Sequence, residues 1–144
     1  MKEIVKVEYV EKTVTKYVAS DGEEFYDRRL CQNYESSLAA KELNKSGIET
    51  CEEADGFPNF DGGENYESHF YRWYRPQNSQ QIELLRKAYN ADKISEEHIG
   101  HWICIELDCC DDFLWLTSLD DSIEYARQLL EKLGYEMTIT KKGE

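Results

Sequence analysis

Hydrophobic residues in the second half of the chain change their spacing from strand-like to helix-like and back, and this succession most constrains the fold. Short alternating or continuously apolar stretches predict strands, whereas spacings of three and four residues predict helices. The strand-like stretches are residues 69–73, 102–107, 113–117 and 135–139. The helix-like stretches carry apolar side chains at Ile82, Leu85 and Tyr89, and at Ile123, Ala126, Leu130 and Leu133. The predicted order is therefore β-α-β-β-α-β.

This order is typical of the ferredoxin-like, split βαβ arrangement, in which two helices cover one face of a four-stranded antiparallel sheet. Capping residues support both helix starts. Asn78 or Ser79 precedes the first helix, and Ser118 followed by Asp121 precedes the second in the manner of a capping box. Residues 95–98 predict one additional helical turn. We therefore expect residues 68–144 to form a ferredoxin-like unit.

The first part of the chain predicts a β-hairpin. Residues 4–18 are rich in Val, Tyr and Thr, which is typical of one long strand or two short ones, and residues 23–26 supply the return strand. Between them, Asp21 and Gly22 predict a type I′ turn, because Gly accepts the positive φ that this turn requires.

A helix is expected after the hairpin, from Asp27 as its N-cap to Asn44, with Leu30, Tyr34 and Leu38 on its apolar face. Residues 48–67 lack periodicity and predict an acidic loop or linker. The fold class is therefore α+β, with a hairpin-helix unit at residues 1–47, the linker at 48–67, and the ferredoxin-like unit at 68–144.

The hairpin-helix unit resembles a zinc finger of the two-cysteine, two-histidine type. Gly22, Phe25 and Cys31 follow the spacing of that family's turn glycine and core residues. The metal positions differ, because Val18 and Asp21 stand where the cysteines would be, and Tyr34 and Leu38 stand where the histidines would be. Zinc needs thiolate and imidazole ligands. The resemblance therefore implies a metal-free ββα unit.

Negative charge is concentrated within the chain. The 144 residues carry a formal net charge of −13, and residues 91–120 contain eight acidic side chains and a single basic one, Lys93. A field of this sign repels nucleic acid and attracts basic protein surfaces. We therefore expect no direct binding to nucleic acid.

The chain also lacks an apolar run of the ~20 residues that a membrane span requires, and its start lacks the apolar core of a signal peptide. We expect a cytoplasmic protein with reduced thiols and no membrane association.

Enzymatic and metal-binding alternatives have weak support. Cys109 and Cys110 lie among aspartates, which disfavour the reactive thiolate. His98, His101 and Cys104 suit zinc in type, but Cys104 falls inside a predicted strand. The aromatic stretch at residues 69–75 is compatible with an RNA-binding sheet, yet the basic signature of such modules is missing. We therefore predict no catalytic residue, no metal and no cofactor.

A second resemblance concerns the stretch YVASDGEEFYDRRLCQNYE, through Asp21-Gly22, Phe25, Cys31 and Tyr34-Glu35. It is similar to the opening of small acidic accessory proteins of bacteriophages and mobile elements in Gram-positive bacteria. The resemblance covers about a third of the chain. It implies a bacterial host cell and a group that includes inhibitors of host defence, anti-CRISPR proteins among them. It assigns no functional residue.

Together these features predict a non-enzymatic inhibitor that binds a basic nucleic-acid-binding host protein, such as a CRISPR effector, by imitating nucleic acid. The acidic residues predicted to make the contact are Asp108, Asp111, Asp112, Glu96, Glu97, Glu52, Glu53 and Asp55. Phe57 and Tyr66 are the predicted aromatic anchors.

Three other hypotheses stay open at the level of sequence. In the first, the protein is a small-molecule-binding regulatory module in which Arg72 and Arg75 hold an anionic ligand. In the second, it is a zinc-dependent protein. In the third, its acidity serves only solubility and has no role in mimicry.

Overall fold

A computed structural model describes residues 1–56 and 68–143 of the chain. Helices and antiparallel strands are both present, which confirms the predicted α+β class. The chain forms two compact units, residues 1–35 and residues 36–144. Among the described residues, no helix is both long and apolar enough to cross a membrane.

The first unit contains a small antiparallel hairpin of β1 (Tyr17–Val18) and β2 (Glu24–Phe25), followed by the first part of α1 (Arg28–Lys45). The predicted strand at residues 4–18 is therefore wrong for most of its length. Residues 1–16 form no regular structure and expose Ile4, Val7 and Tyr9, since strand-type residues form a strand only where a partner strand is available.

The hairpin turn also differs from the predicted type I′ turn. Gly22 donates its N–H to the carbonyl of Ala19 at 2.9 Å, and Ala19 donates its own to the carbonyl of Glu23 at 2.8 Å. The loop therefore has three residues, with Gly22 in the left-handed region at φ +92°. This is a type I turn followed by a bulge residue, the usual three-residue hairpin connection.

Two positions that correspond to zinc ligands in the resembling family are joined directly. The Tyr34 hydroxyl donates to Asp21 Oδ2 at 2.6 Å, and the Tyr34 ring lies 5.2 Å from the Phe25 ring. A second bond from Ser20 Oγ to Glu35 Oε2, at 2.9 Å, also links the turn to the helix. Side-chain hydrogen bonds thus connect hairpin and helix where a zinc finger would use a metal ion. The bond between Tyr34 and Asp21 lowers the pKa of Asp21 and raises the pKa of Tyr34 to about 12.

These two shifts predict a pH range for the stability of the first unit. The contribution of Asp21 is full above its unfolded pKa, about 4, and is lost as the pH falls through the lowered value. The contribution of Tyr34 to stability is full below its unfolded pKa, about 10, and is lost as the pH rises through about 12. In Tyr34→Phe, the alkaline loss should disappear and the Asp21 pKa should rise. Carboxyl-carbon NMR titration measures the Asp21 pKa in both proteins, and tyrosine-ring carbon titration measures the Tyr34 pKa in the unmodified protein. An Asp21 titration that is identical in the two proteins would contradict the bond.

The second unit is built on one four-stranded antiparallel sheet. Its strands are β3 (Glu49–Thr50), β4 (Phe70–Arg75), β5 (Ile103–Leu107) and β6 (Phe113–Ser118), in the order β3-β4-β5-β6. Phe70 lies opposite Leu107, and Ile105 lies opposite Leu116. Each strand therefore pairs with the next one along the chain.

Helix α2 (Ser79–Tyr89) follows the sequence prediction closely. Its N-cap Asn78 accepts a hydrogen bond from the N–H of Gln81 at 2.9 Å, and Asn90 ends it in the left-handed conformation at φ 52°. A 3₁₀ helix at Glu96–His98 confirms the additional turn. Helix α3 (Leu119–Lys132) begins after Ser118, but the Ser118 side chain makes no capping bond, so the predicted capping box is wrong.

Side chains on the two faces of the sheet form separate hydrophobic clusters. On one face, Ile103, Ile105 and Leu107 pack with Leu43 of α1 and Leu85 of α2, and all five are at most 3% exposed. On the other face, Tyr71, Trp73 and Cys104 form the second cluster, against which Ala54, Trp102 and Leu119 pack. Burying one such aliphatic side chain contributes about 1.5–3 kcal/mol.

The ferredoxin-like arrangement is not confirmed. In a split βαβ unit, the two strands joined by the first helix are parallel and have another strand between them. Here β4 and β5, which α2 connects, are antiparallel neighbours. The predicted last strand at residues 135–139 is also wrong, since these residues are in no strand, and β3 pairs with the outer side of β4.

Helix α1 also buries a different face from the predicted one. Leu30 is 58% exposed, and Tyr34 and Leu38 are half-buried. The buried residues are Cys31 in the first unit, and Ala39 and Leu43 in the second. Ala39 and Leu43 are four residues apart, so both lie on the side of the helix that packs against α2 and the sheet.

Candidate functional site

The β5–β6 turn, residues 108–112, places three of the predicted aspartates in one rigid loop. Asp108 Oδ1 accepts hydrogen bonds from the N–H groups of Cys110 at 2.8 Å and Asp112 at 2.9 Å. Asp108 is half-buried, whereas Asp111 and Asp112 are exposed. The three carboxylates therefore differ in role, because Asp108 stabilises the loop while the other two are presented to solvent.

The backbone of this turn repeats that of the first hairpin. Asp111 donates its N–H to the Asp108 carbonyl at 3.1 Å, and Asp108 donates to the Asp112 carbonyl at 3.0 Å. Asp111 thereby occupies the left-handed position, at φ 61°, that Gly22 occupies in the first unit. A non-glycine residue is uncommon in this conformation, and aspartate is among the few that tolerate it. The turn therefore has a small cost in stability at Asp111.

Two substitutions separate the roles of these aspartates. Asp108→Ala removes two hydrogen bonds to the loop and should lower the free energy of unfolding by about 1–3 kcal/mol. Asp111→Gly also removes one negative charge, but it relieves the left-handed conformation and should raise the free energy by up to about 1 kcal/mol. Urea unfolding measures both. Equal destabilisation by the two substitutions would contradict the assignment of roles.

The remaining predicted acids are distributed by the register of the sheet. The chain after β3 runs from the Arg75 end of β4 towards the Phe70 end, the end at which β5 enters the Asp108 turn. Exposed carboxylates at Glu52, Glu53 and Asp55 thus follow a strand directed towards that end. Strand spacing of ~4.8 Å puts β3 about 10 Å from β5 across the sheet.

Glu96 and Glu97 lie at the opposite end of the sheet. Their 3₁₀ helix precedes the start of β5, and Gly100 donates its N–H to the carbonyl of Pro76, just after β4, at 2.7 Å. The sheet therefore separates them from the Asp108 turn by the length of β5. The predicted aromatic anchors, Phe57 and Tyr66, lie outside the described residues.

Cys104 and Cys110 lack the environment of a catalytic cysteine. Burial, with a smaller contribution from the negative charge of Glu106, raises the pKa of Cys104 to about 12. Cys109 Sγ lies 3.9 Å from Cys110 Sγ, and this contact, together with Asp108 and Asp112, raises the pKa of Cys110. A nucleophilic cysteine needs the opposite shift, produced by positive charge.

The histidines of the hypothetical zinc cluster have other partners. His98 Nδ1 accepts from the N–H of Ser95 at 3.0 Å, and His101 pairs with Asp120. No group of three or more His, Cys, Asp or Glu side chains placed to hold a metal ion occurs within residues 1–56 and 68–143. Zinc therefore has no assembled ligand set in this part of the chain.

Thiol accessibility provides a direct check of these environments. Cys51, Cys109 and Cys110 are exposed, whereas Cys31 and Cys104 are buried. We expect iodoacetamide at pH 8 to modify the three exposed thiols of the folded protein, Cys110 more slowly than Cys51 because its raised pKa leaves less thiolate, and the two buried ones only in denaturant. Peptide mass spectrometry distinguishes the sites. Rapid modification of Cys104 in the folded state would contradict both its burial and its raised pKa.

The two arginines of the anionic-ligand hypothesis are in different environments. Arg75 Nη2 donates to Glu49 Oε1 at 2.7 Å, its Nε bonds the same carboxylate, and its guanidinium lies 5.4 Å from the centre of the Trp102 ring. This pairing raises the pKa of Arg75 and lowers that of Glu49. Arg72 is exposed and forms no ion pair with any residue in the described ranges. Arg75 therefore secures β3 to β4, and only Arg72 is available to a ligand.

Sequence reasoning missed a polar cluster on the sheet. His69 Nδ1 lies 2.7 Å from Glu106 Oε1, and the Tyr71 hydroxyl donates to the same oxygen at 3.3 Å. Cross-strand pairing of Tyr71 with Glu106 brings these side chains together. No sequence signal marks this cluster, because its members are 35 and 37 residues apart and depend on strand register.

The structural role of Asp108 was also missed, although a signal was present. Aspartate is favoured at the first position of a type I turn because its side chain bonds the following N–H groups.

Comparison of the chain with protein-family models, with curated proteins and with solved structures finds no match. Function must therefore be argued from the geometry.

Proposed function

We propose that this protein is a non-enzymatic inhibitor whose acidic hairpin end binds the basic surface of a nucleic-acid-binding protein. The observation that carries the proposal is the Asp108 turn. It presents the exposed carboxylates of Asp111 and Asp112 from a loop that two side-chain hydrogen bonds fix. A preformed pair of charges loses less conformational entropy on binding than a pair in a mobile loop.

Charge distribution supports the same surface. The net charge of −13 favours association with a basic partner and opposes contact with nucleic acid itself. Glu52, Glu53 and Asp55, which are exposed after β3, extend the negative surface on the same side of the unit. Glu96 and Glu97 belong to the other end of the sheet and are not part of the proposed contact.

The proposed partner class follows from the resemblance to accessory proteins of bacteriophages and mobile elements. Proteins of that kind include inhibitors of host defence, and a CRISPR effector is one basic nucleic-acid-binding target. Binding of the acidic surface to its Lys and Arg residues would exclude the nucleic acid by competition. The altered environment of Cys104 and Cys110 supports a binding role in preference to thiol catalysis.

The test uses charge reversal at the two ends of the sheet. Asp111→Lys with Asp112→Lys changes the net charge by +4, and the matched control Glu96→Lys with Glu97→Lys changes it equally. With a CRISPR nuclease as the partner, we expect the hairpin variant to lose at least about tenfold in affinity, and the control to lose little. Fluorescence competition against guide-target duplex measures both.

Salt provides the second measurement. Affinity of the unmodified protein should fall as ionic strength rises from about 0.1 M to 1 M, because the screening length shortens from ~10 Å to ~3 Å. Equal losses in the two reversal variants, or an affinity independent of salt, would contradict binding through the hairpin end. Far-UV circular dichroism of each variant establishes that it remains folded.

A further inference from the structure

A cavity of about 480 Å³ lies in the second unit, where the C-terminal half of α1, the end of α2 and the outer side of β4 meet. It is within the range of small-molecule sites in proteins. Half-buried Ile48 supplies apolar surface, and the hydroxyls of Tyr74 and Tyr89 are hydrogen-bonded to each other at its wall. The cavity opens beside β4 because β3 ends after two residues.

Two opposite charges line this cavity without satisfying each other. Arg72 is its only basic lining residue among those described, and Glu52 is its only acidic one. No ion pair joins them, and neither pairs with another charged residue in the described parts of the chain. Arg75, three positions further along β4, is held by Glu49 and is not part of the lining.

The strand register places Arg72 on the face of the sheet that carries the cavity. Arg72 lies opposite Ile105, and Tyr74, whose hydroxyl bonds that of Tyr89, lies two positions further along β4. Side chains two positions apart on a strand share a face, so the guanidinium lies on the same face as the phenols of the cavity wall. Since both side chains are exposed and have no ion pair among the described residues, a ligand with complementary groups can form a charge-assisted hydrogen bond with each of them.

We propose that this cavity binds a small zwitterion with an apolar body, of the chemical class of an apolar α-amino acid. The ligand carboxylate binds Arg72, its ammonium binds Glu52, and its side chain packs on Ile48 and the tyrosine rings. A simple carboxylate would leave Glu52 unpaired beside its own negative charge, and a simple amine would leave Arg72 unpaired. The site therefore selects for a molecule that carries both charges.

The experiment uses L-phenylalanine, with phenylacetate and 2-phenylethylamine as probes that carry one charge each. Proton–nitrogen correlation spectra of the full chain are recorded during titration. We expect saturable shifts at residues around the cavity with L-phenylalanine at millimolar concentration, and affinities at least about tenfold lower for the two single-charge probes.

Two variants assign the charges. Arg72→Gln should weaken L-phenylalanine and phenylacetate binding but not 2-phenylethylamine binding, and Glu52→Gln should show the opposite preference between the single-charge probes. Arg86→Gln, on the exposed surface of α2 outside the lining, is the matched control and should bind as the unmodified protein does.

Three results would overturn the proposal: no shifts with L-phenylalanine at 20 mM (about the upper end of weak, millimolar binding), equal binding by Arg72→Gln and the unmodified protein, or shifts that map away from the cavity. Both substituted side chains are exposed, so the variants retain the core, and their spectra report folding directly. Asp111 and Asp112 are not in the lining, so Arg72→Gln tests the cavity without changing either aspartate of the proposed contact.

Discussion

Burial of alternate side chains of β5 fixes the register on which the second unit depends. Ile103 and Ile105 are completely buried, and Leu107 nearly so, against α1 and α2. A shift of β5 by one residue would turn all three to the opposite face and bring Glu106 into the aliphatic cluster. The same register pairs Tyr71 with Glu106 and sets where β5 ends, so the acidic turn and the polar cluster both follow from the packing of one strand.

Sequence patterns were sufficient where the signals were local. Helix α2 was predicted with its N-cap Asn78 and its stop at Asn90, because both residues act on adjacent backbone groups. Patterns were insufficient where a partner had to be chosen. Residues 135–139 alternate like a strand, yet β4 pairs instead with Glu49–Thr50, a strand too short to show a pattern and linked to β4 by the Arg75–Glu49 pair.

The same contrast between local signals and spatial partners holds for the candidate surfaces. Composition identified an acidic region, but it could not distinguish Asp108, whose carboxylate bonds its own turn, from the exposed Asp111 and Asp112. It also grouped Arg72 with Arg75, although only the three-dimensional pairing of β3 with β4 explains why Arg75 is engaged. Charge is visible in a sequence, whereas the availability of a charge depends on its neighbours in space.

The position of β6 gives the aspartates a second consequence. β6 forms one edge of the described sheet, with Leu114 and Trp115 exposed along it, and such an edge invites pairing with another chain. Asp112 precedes the strand and Asp120 follows it, so antiparallel pairing of two copies would bring like charges together at both ends. Asp112, which is proposed to attract a basic partner, therefore also opposes self-association, so the proposed recognition and the colloidal stability would depend on the same carboxylate.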